Sequence, residues 1–571
     1  MQGNWDHRRV ETVSRLGEMG RRKFLKLAGA SAAALVFGAG PFTEKVWAQP
    51  TFTAYPFSLG VASGDPLPAG VVLWTRLAPN PLIDGGGMPT GSSVQVRWQV
   101  ADDVGFGSVV REGSVYAYPE LAHSVHVEVG GLQPAREYFY RFEIPGATDA
   151  HRYSPTGRTK TAPAAGASVA RMNFAFVSCQ QREHGYYTAY RRMAEGENLD
   201  LVVHLGDYIY EYRPNGYVSP SGNVTERAHS GPETIDLWDY RNRHAQYKTD
   251  KDLQAAHARF PWVVTWDDHE VENNYADEIP EASSQSTTRE AWLARRAAAY
   301  QAYYEHMPLR RSSVPSGPDM LLYRRLAYGN LAEFNVLDTR QYRSDQVTTD
   351  AQRKDPARTL TGAAQEKWLL DGLAASGATW KVLAQQTFFA QRDLDTSSSG
   401  QSYLMDAWDG YVGSRDRILN FVRNRSIKNS VVLSGDVHNN WACDLKANFN
   451  NPYSQTLGVE LVGTSVTSGG NGADTGTTQE AIKKHNPHIK FFNGQRGYVR
   501  CTLTPTEWQA DYRVLPYVTQ PDAPISTRAS FKVTAGRPGL QLVTQQTPVG
   551  VQSSEAAVES DVERSRAQRQ R

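Results

Sequence analysis

The sequence predicts a layered α/β domain preceded by a small β-sandwich, with a cleavable leader before them and a polar tail after them. Three observations predict it. Apolar residues alternate with period two in the first part of the chain, from about Tyr55 to Ala162. Beyond about position 170, short apolar runs alternate with stretches of helical spacing. Four of those runs end in clusters of Asp, His, Cys or Tyr. At 571 residues the chain exceeds one ordinary core, and 40% hydrophobic with 21% charged residues excludes a disordered chain or a multi-span membrane protein.

The leader comes first. Gly20-Arg21-Arg22-Lys23-Phe24-Leu25-Lys26 precedes an Ala/Gly-rich apolar stretch from Leu27 to Gly40, and Val46-Trp47-Ala48 supplies small residues at a cleavage site. This pattern is a twin-arginine signal peptide over positions 1–48, too short in its apolar part to be a stable membrane anchor. It implies passage through the twin-arginine translocase to a periplasmic or extracellular location, and a protein folded, often metal-loaded, before export. Positions 1–48 hold eight Lys/Arg and four Asp/Glu, leaving 53 basic and 56 acidic residues beyond them. The body thus has no basic excess, and no footprint for nucleic acid.

The sandwich occupies positions 52–162. Val94-Gln95-Val96-Arg97-Trp98-Gln99-Val100 and Val125-His126-Val127-Glu128-Val129 alternate as half-buried strands do. Leu132-Gln133-Pro134 followed by Tyr138 is similar to the tyrosine corner of fibronectin-type sandwiches. His123 and His126 are read as strand or surface histidines, not ligands. Thr159–Ala167 reads as a linker.

The α/β domain covers 170–540. Core strands are expected at Phe174–Val177, Leu199–Leu205, Trp262–Trp266, Trp380–Ala384, Ser430–Leu433 and Val459–Val462, with helices at Tyr186–Glu195 and Thr287–His306. From 541 to 571 the Gln/Ser/Glu/Arg-rich composition predicts disorder.

The chemistry lies at the strand ends. The four runs lead into Ser178-Cys179-Gln180, Gly206-Asp207-Tyr208-Ile209-Tyr210-Glu211, Asp267-Asp268-His269-Glu270 and Ser434-Gly435-Asp436-Val437-His438-Asn439-Asn440. Ligands bind at the carboxyl ends of strands in open α/β sheets, so these clusters should meet on one rim. So many acids together need a cation. Thiolate and phenolate beside imidazole and carboxylate suit Fe(III); the remaining carboxylate and amide oxygens suit Ca²⁺. Three cysteines are too few for a disulfide framework, and Cys443 and Cys501 read as buried core residues.

With those residues in view, the chain resembles the alkaline phosphatase D (PhoD-like) family. SGDPLPAGVVLWTRL (63–77), SCQ (178–180), GDYIYE (206–211), WDDHEVENN (266–274), SGDVHNN (434–440) and RASFKVTAGRPGLQ (528–541) carry the resemblance, and Gly206-Asp207-x-x-Tyr210 is similar to the GDxxY motif of purple acid phosphatases. The resemblance implies a four-layer metallophosphoesterase-type α/β sandwich behind the β-sandwich. It implies Fe(III) on Cys179, Asp207, Tyr210, Asp436 and His438, and Ca²⁺ on Asp207, Asp268 and Asn273. It implies His269 as the group that protonates or steers the leaving oxygen, and in-line attack on phosphorus by a metal-activated hydroxide without a covalent intermediate. Arg182, Tyr208 and Asp267 are candidates to line the phosphate pocket, with interior packing as the alternative. The implied substrates are phosphate-ester small molecules, or phospholipid and teichoic-type diesters. A phospholipase D-type diesterase is the alternative within the family; a binding protein with an inactive phosphoesterase domain is the alternative outside it.

Overall fold

The computed structural model describes residues 52–397 and 401–546, apart from positions 90 and 92. The predicted leader and the tail beyond 546 lie outside the described residues. The chain forms two compact units: residues up to Thr161 with Ser230–Pro261 and Gln285–Leu321, and Ala162–His229 with Trp262–Ser284 and the chain from Leu322 onward.

The first unit is built on seven strands. β1 (Val61–Leu67), β2 (Gly70–Arg76) and β5 (Ser124–Val129) pair antiparallel in the order β1-β2-β5. β3 (Val94–Ala101), β4 (Val109–Ala117), β6 (Glu137–Glu143) and β7 (Gly157–Lys160) form a second sheet in the order β4-β3-β6-β7. Val71, Leu73 and Val127 from one sheet and Val96, Trp98, Val100, Tyr140 and Phe142 from the other share a core, as the period-two pattern requires. The tyrosine corner is present: the Gln133 N–H donates to the Tyr138 hydroxyl at 2.9 Å. His126 stands on β5 as expected, stacked on Tyr304 with ring centroids 4.5 Å apart.

Two expected boundaries are corrected. The 159–167 stretch is no free linker at its start, because Thr159 pairs with Tyr138 in the β6–β7 ladder. The units are also not consecutive in sequence. The segments Ser230–Pro261 and Gln285–Leu321, which the expected bounds put within 170–540, belong with the N-terminal strands and carry the helices Leu237–Lys248, Lys251–Arg259 and Arg289–His306. Their side chains and carbonyls explain why: Trp74 Nε1 donates to the Glu305 carbonyl at 2.9 Å, and Arg76 Nη1 lies 2.8 Å from His306 Nε2. The last helix begins at Arg289 because Thr288 Oγ1 accepts the Ala291 N–H at 3.2 Å.

In the second unit β8 (Met172–Val177), β9 (Leu201–His204) and β10 (Pro261–Val264) run parallel. The sheet continues from β8 through antiparallel strands in the order β21-β20-β19-β18-β8-β9-β10, with β18 at Arg496–Leu503, β19 at Glu507–Leu515, β20 at Ser526–Thr534 and β21 at Arg537–Gln545. A second sheet has the order β11-β12-β13-β14-β16-β15-β17. Its strands are β11 (Arg324–Tyr328), β12 (Ala332–Val336), β13 (Trp380–Ala384), β14 (Ser430–Ser434), β15 (Asn440–Lys446), β16 (Thr456–Val462) and β17 (Ile489–Asn493). β12, β13, β14 and β16 are parallel.

Alternation along β14 shows how these sheets stack. Val431 and Leu433 point into a core with Phe174, Phe176 and Val203 of the other sheet. Val432 between them points the other way, into a core with Leu369 and Leu373 of the helix Gly362–Ala375 and Ile418 of the helix Val412–Asn424. Outside the first sheet the helix Thr188–Gly196 sets Tyr190 against Trp262 at 5.7 Å. The unit is therefore helix, sheet, sheet, helix, the expected four layers. Strands apolar on both faces are what this burial demands, and they are what made the runs visible in sequence.

The tail boundary also moves. β21 continues to Gln545, five residues into the stretch expected to be disordered, because its backbone pairs with β20 as far as Ala529↔Gln545. Backbone pairing at a sheet edge does not require apolar side chains, so composition did not reveal it. No helix among the described residues is long and apolar enough to cross a membrane.

Tyr138→Phe should remove the corner hydrogen bond while preserving the ring, and lower stability by about 1 kcal/mol. Denaturant unfolding of the purified protein would check this; an unchanged midpoint would mean the bond contributes nothing net.

Candidate metal centre

Each functional cluster sits directly beyond a parallel strand. Cys179 follows β8, Asp207 follows β9, Asp267, Asp268 and His269 follow β10, and Asp436 and His438 follow β14. Four of these residues hold left-handed backbone: Cys179 at φ 59°, Asp207 at 56°, Asp436 at 63° and His438 at 56°. Such conformations cost about 1–3 kcal/mol each in a non-glycine residue and gather at functional sites. Neighbouring strand ends hold them in place. Cys179 N–H donates to the Gly206 carbonyl and Gln180 N–H to the Asp207 carbonyl, both at 3.0 Å. Glycine is required at two steps. Gly206 has φ 113°, and a Cβ there would stand 2.5 Å from the Asp267 nitrogen. A Cβ on Gly435 would collide with Ser178 Oγ.

The side chains then converge in three overlapping groups. Ligand atoms of Cys179, Asp207 and His438 lie within 4.8 Å of one another, as do those of Asp207, Asp268 and His269, and of Asp267, Asp268 and Asp436. Asp207 is common to the first two. The Tyr210 hydroxyl donates to Asp207 Oδ2 at 3.0 Å, lies 3.3 Å from His438 Nε2 and accepts from Ser468 Oγ at 2.7 Å. Cys179, Asp207, Tyr210 and His438 thus lie together, whereas Asp436 reaches the Asp267–Asp268 group. Asn273 is oriented by its amide nitrogen, which donates to Glu281 at 2.9 Å, and by its backbone N–H, which donates to Glu211 at 2.8 Å.

The pocket candidates differ in their surroundings. Tyr208 is buried with its ring 5.2 Å from that of His204, and its carbonyl accepts from Gln180. Asp267 is bound to Arg340 Nε at 2.5 Å. Arg182 is half-buried in the turn after Cys179, where its carbonyl accepts from Arg227 at 3.0 Å.

Burial of so many acids perturbs them. Desolvation, with the Asp268 charge added, pushes Asp207 up to about 6. Burial raises Cys179 well above the thiol range and Tyr210 well above the phenol range, each reinforced by Asp207. Burial also carries Asp267 well up despite Arg340. Asp268 moves the other way, because Arg340 and His269 outweigh its desolvation. Asp207 Oδ1 is buried with no hydrogen-bond partner. A buried carboxylate oxygen left unmet, beside thiol, phenol, imidazole and further carboxylates, fits a bound cation, which would deprotonate these donors outright. The donor set therefore fits a metal centre.

Three residues that sequence reading did not assign complete the site. Glu270 accepts the backbone N–H of Asp207 at 3.0 Å, of Asp267 at 2.7 Å, of Ile209 at 3.4 Å and of Tyr208. Glu211 holds His269 Nδ1 at 2.8 Å. Arg340 bridges Asp267 and Asp406 and lies 3.4 Å from Asp268. Glu211 and Glu270 were hidden among the other acids of their motifs. Arg340 had a readable signal, since β12 runs through Leu337 into Asp338-Thr339-Arg340, another polar cluster at a parallel strand end. Beside them, His184 Nδ1 accepts the Gly469 N–H at 2.9 Å, so Nε2 carries the proton and donates to the Tyr217 carbonyl at 3.1 Å. Burial holds this ring down at about 3.

The family model described as PhoD-like phosphatase matches residues 174–512, and the model of its N-terminal domain matches residues 43–163. The chain is 56% identical to alkaline phosphatase D of Bacillus subtilis (strain 168) over 573 residues, covering 98% of this chain and 96% of that protein. It also superposes on the solved structure of PhoD with a TM-score of 0.85 at 56% identity, over 91% of this chain and 99% of that one.

Glu270→Gln replaces an acceptor of several N–H groups by an amide with one acceptor oxygen, and should weaken metal retention about 10- to 100-fold. Metal content after dialysis against graded chelator would show it; wild-type retention would mean the strand ends hold themselves. His184 is neutral in the fold and protonates more readily when unfolded. Its stabilisation is complete above about pH 6.5 and is lost as pH falls towards about 3, by about 1.4 kcal/mol per unit. The unfolding midpoint should drop between pH 7 and pH 5, and drop less in His184→Gln; equal slopes would remove His184 as a cause.

Proposed function

The chain belongs to the PhoD-like phosphatase family and is a phosphoric-ester hydrolase, and from that premise we propose that it is an exported phosphodiesterase working at an Fe(III)/Ca²⁺ centre. One observation carries the reading: Asp207 stands in two ligand groups at once, with Cys179 and His438 on one side and Asp268 and His269 on the other. A carboxylate so placed suits a bridge between two unlike cations. Cys179, Asp207, Tyr210 and His438, with Asp436, would hold Fe(III); Asp207, Asp268 and Asn273 would hold Ca²⁺. When bound, the pair supplies Lewis-acid activation of the attacking water and charge neutralisation at the phosphoryl oxygens.

The chain's own residues do the rest. Glu270 fixes the backbone on both sides of Asp207. Burial works against a charged His269, but Glu211, Asp268 and Asp207 outweigh it and raise its proton affinity well above the usual imidazole range. A proton held there, beside the shared carboxylate, can pass to the leaving alkoxide. Cys179 is buried and belongs to the ligand set, so it serves neither as nucleophile nor in a disulfide.

The cations beside the centre favour a diester. Arg340 is bound to Asp267 and Asp406, and Arg496 donates to the Gly470 carbonyl at 2.7 Å and to the His438 carbonyl. A monoester dianion brings one more negative charge than a diester, and these guanidiniums already have partners. On this reading the substrates are small phosphodiesters or phospholipid and teichoic-type diesters, and the twin-arginine leader at positions 1–48 delivers the metal-loaded protein outside the cytoplasm.

Hydrolysis of bis-p-nitrophenyl phosphate by protein from an iron-replete host should be supported by Ca²⁺, abolished by chelator, and lowered in Asp207→Asn by more than about a hundredfold, beyond the usual cost of losing a supporting residue. A Ca²⁺-independent rate, or a fully active Asp207→Asn, would overturn the shared-carboxylate centre. Faster turnover of p-nitrophenyl phosphate than of the diester would overturn the diester preference.

A further inference from the structure

The segment Tyr212-Arg213-Pro214-Asn215-Gly216-Tyr217 contributes no metal ligand, yet the structure fixes it with unusual care. It turns back on itself, the Gly216 N–H donating to the Arg213 carbonyl at 2.8 Å. Pro214 restricts the first step of the turn, and Asn215, at φ 57°, takes the left-handed one. The reversal brings the rings of Tyr212 and Tyr217 to a centroid distance of 5.7 Å.

Both ends are anchored from behind by buried polar groups. The Glu183 carboxylate accepts the Asn215 N–H at 3.1 Å and the His229 N–H at 3.2 Å. His229 Nδ1 lies 2.9 Å from the Tyr212 carbonyl. His184 bonds the Tyr217 carbonyl and sets its own ring edge-on to that tyrosine at 4.5 Å. Glu183 and His184 lie only a few residues beyond Cys179, so the turn is tied to the same strand end as the centre.

The two rings are half-buried, whereas the groups beneath them are fully buried. Tyr212 packs on His269 at 5.4 Å and Tyr217 on Tyr210 at 6.2 Å. His269 is the group proposed to protonate the leaving alcohol, and Tyr212 is the half-buried ring packed beside it. Rigid aromatic surface at that point, half open to solvent, offers stacking area at little entropic cost.

We propose that Tyr212 and Tyr217 form an aromatic ledge on which the departing alcohol of the substrate stacks, so that among the small phosphodiesters those whose leaving group carries a planar ring are bound more tightly than those without one. The proposal rests on the hydrolase reading and names the substrate class it selects.

The test compares kcat and KM on bis-p-nitrophenyl phosphate and on glycerophosphoglycerol for the wild type, for Tyr212→Ala/Tyr217→Ala and for Tyr212→Phe/Tyr217→Phe. The alanine pair should raise KM for the aryl diester about tenfold, the scale of stacking on an aromatic side chain, with kcat unchanged. It should leave the glycerol diester unaffected, and the phenylalanine pair should match wild type on both. Equal losses on both substrates, or a loss in the phenylalanine pair, would overturn the ledge. Equilibrium binding of p-nitrophenylphosphonate and methylphosphonate separates the two readings. A protein that hydrolyses neither diester but binds the aryl phosphonate about tenfold tighter, through these tyrosines, would sink the hydrolase reading and support the ledge. An active enzyme with no aryl preference would sink the ledge alone.

Discussion

Glu270 is the interaction on which the rest of the centre depends. Its carboxylate gathers backbone N–H groups from Asp207, Tyr208 and Ile209 beyond one strand and from Asp267 beyond the next. Those turns place Asp207, Tyr210, Asp267 and Asp268. A carboxylate accepting several N–H groups is normally held low, yet burial and the Asp207 charge push Glu270 up to about 8. The shift records how crowded with acid the group that locks the geometry is, so the geometry and the need for a cation arise together.

That excess shapes the surroundings. Arg340 is drawn in fully buried, an arrangement tolerable only because Asp267, Asp268 and Asp406 surround it, and Arg343 supports Asp406 at 3.0 Å. His269 is paired with Glu211, and Tyr210 is bonded to Asp207 and Ser468. Asp207 Oδ1 and Asp268 Oδ1 are oxygens this network leaves without a hydrogen bond. Both oxygens belong to residues of the ligand groups that meet at Asp207, where a bound cation would satisfy them.

The strand ends carry a second constraint, steric instead of electrostatic. Left-handed backbone at Cys179, Asp207, Asp436 and His438 aims four side chains inward from the strands that carry them. It is possible only because Gly206 and Gly435 allow those ends to approach within atomic contact. Strain of this kind persists when the surrounding fold over-determines it, and here two sheets packed through one continuous core supply that rigidity. The Tyr212–Tyr217 turn extends the same scheme outward, since the buried Glu183 and His184 that hold it stand just beyond Cys179.

The sequence by itself determined the strands and the side-chain types gathered at their ends. Runs such as Val431-Val432-Leu433 are apolar at every position because both faces are buried, so the run and the acids that end it stand out without any structure. Cys179, Asp207, Tyr210, Asp268, Asp436 and His438 were legible for that reason, and the tyrosine corner at Tyr138 for its fixed spacing. Only the tertiary structure decided which acid does what. Glu211, Glu270, Asp267 and Asp268 are alike in composition and neighbourhood, and their roles differ through what they face across the strand ends. The same holds for Tyr208 and Tyr210, two residues apart on one loop, one packed on His204 and the other bonded to Asp207. It holds also for the helices Leu237–Lys248 and Arg289–His306, whose residence with the N-terminal strands rests on contacts between residues far apart in the chain. A side chain's chemistry is written locally, but its partner is fixed by long-range packing, and no periodicity in one sequence encodes that.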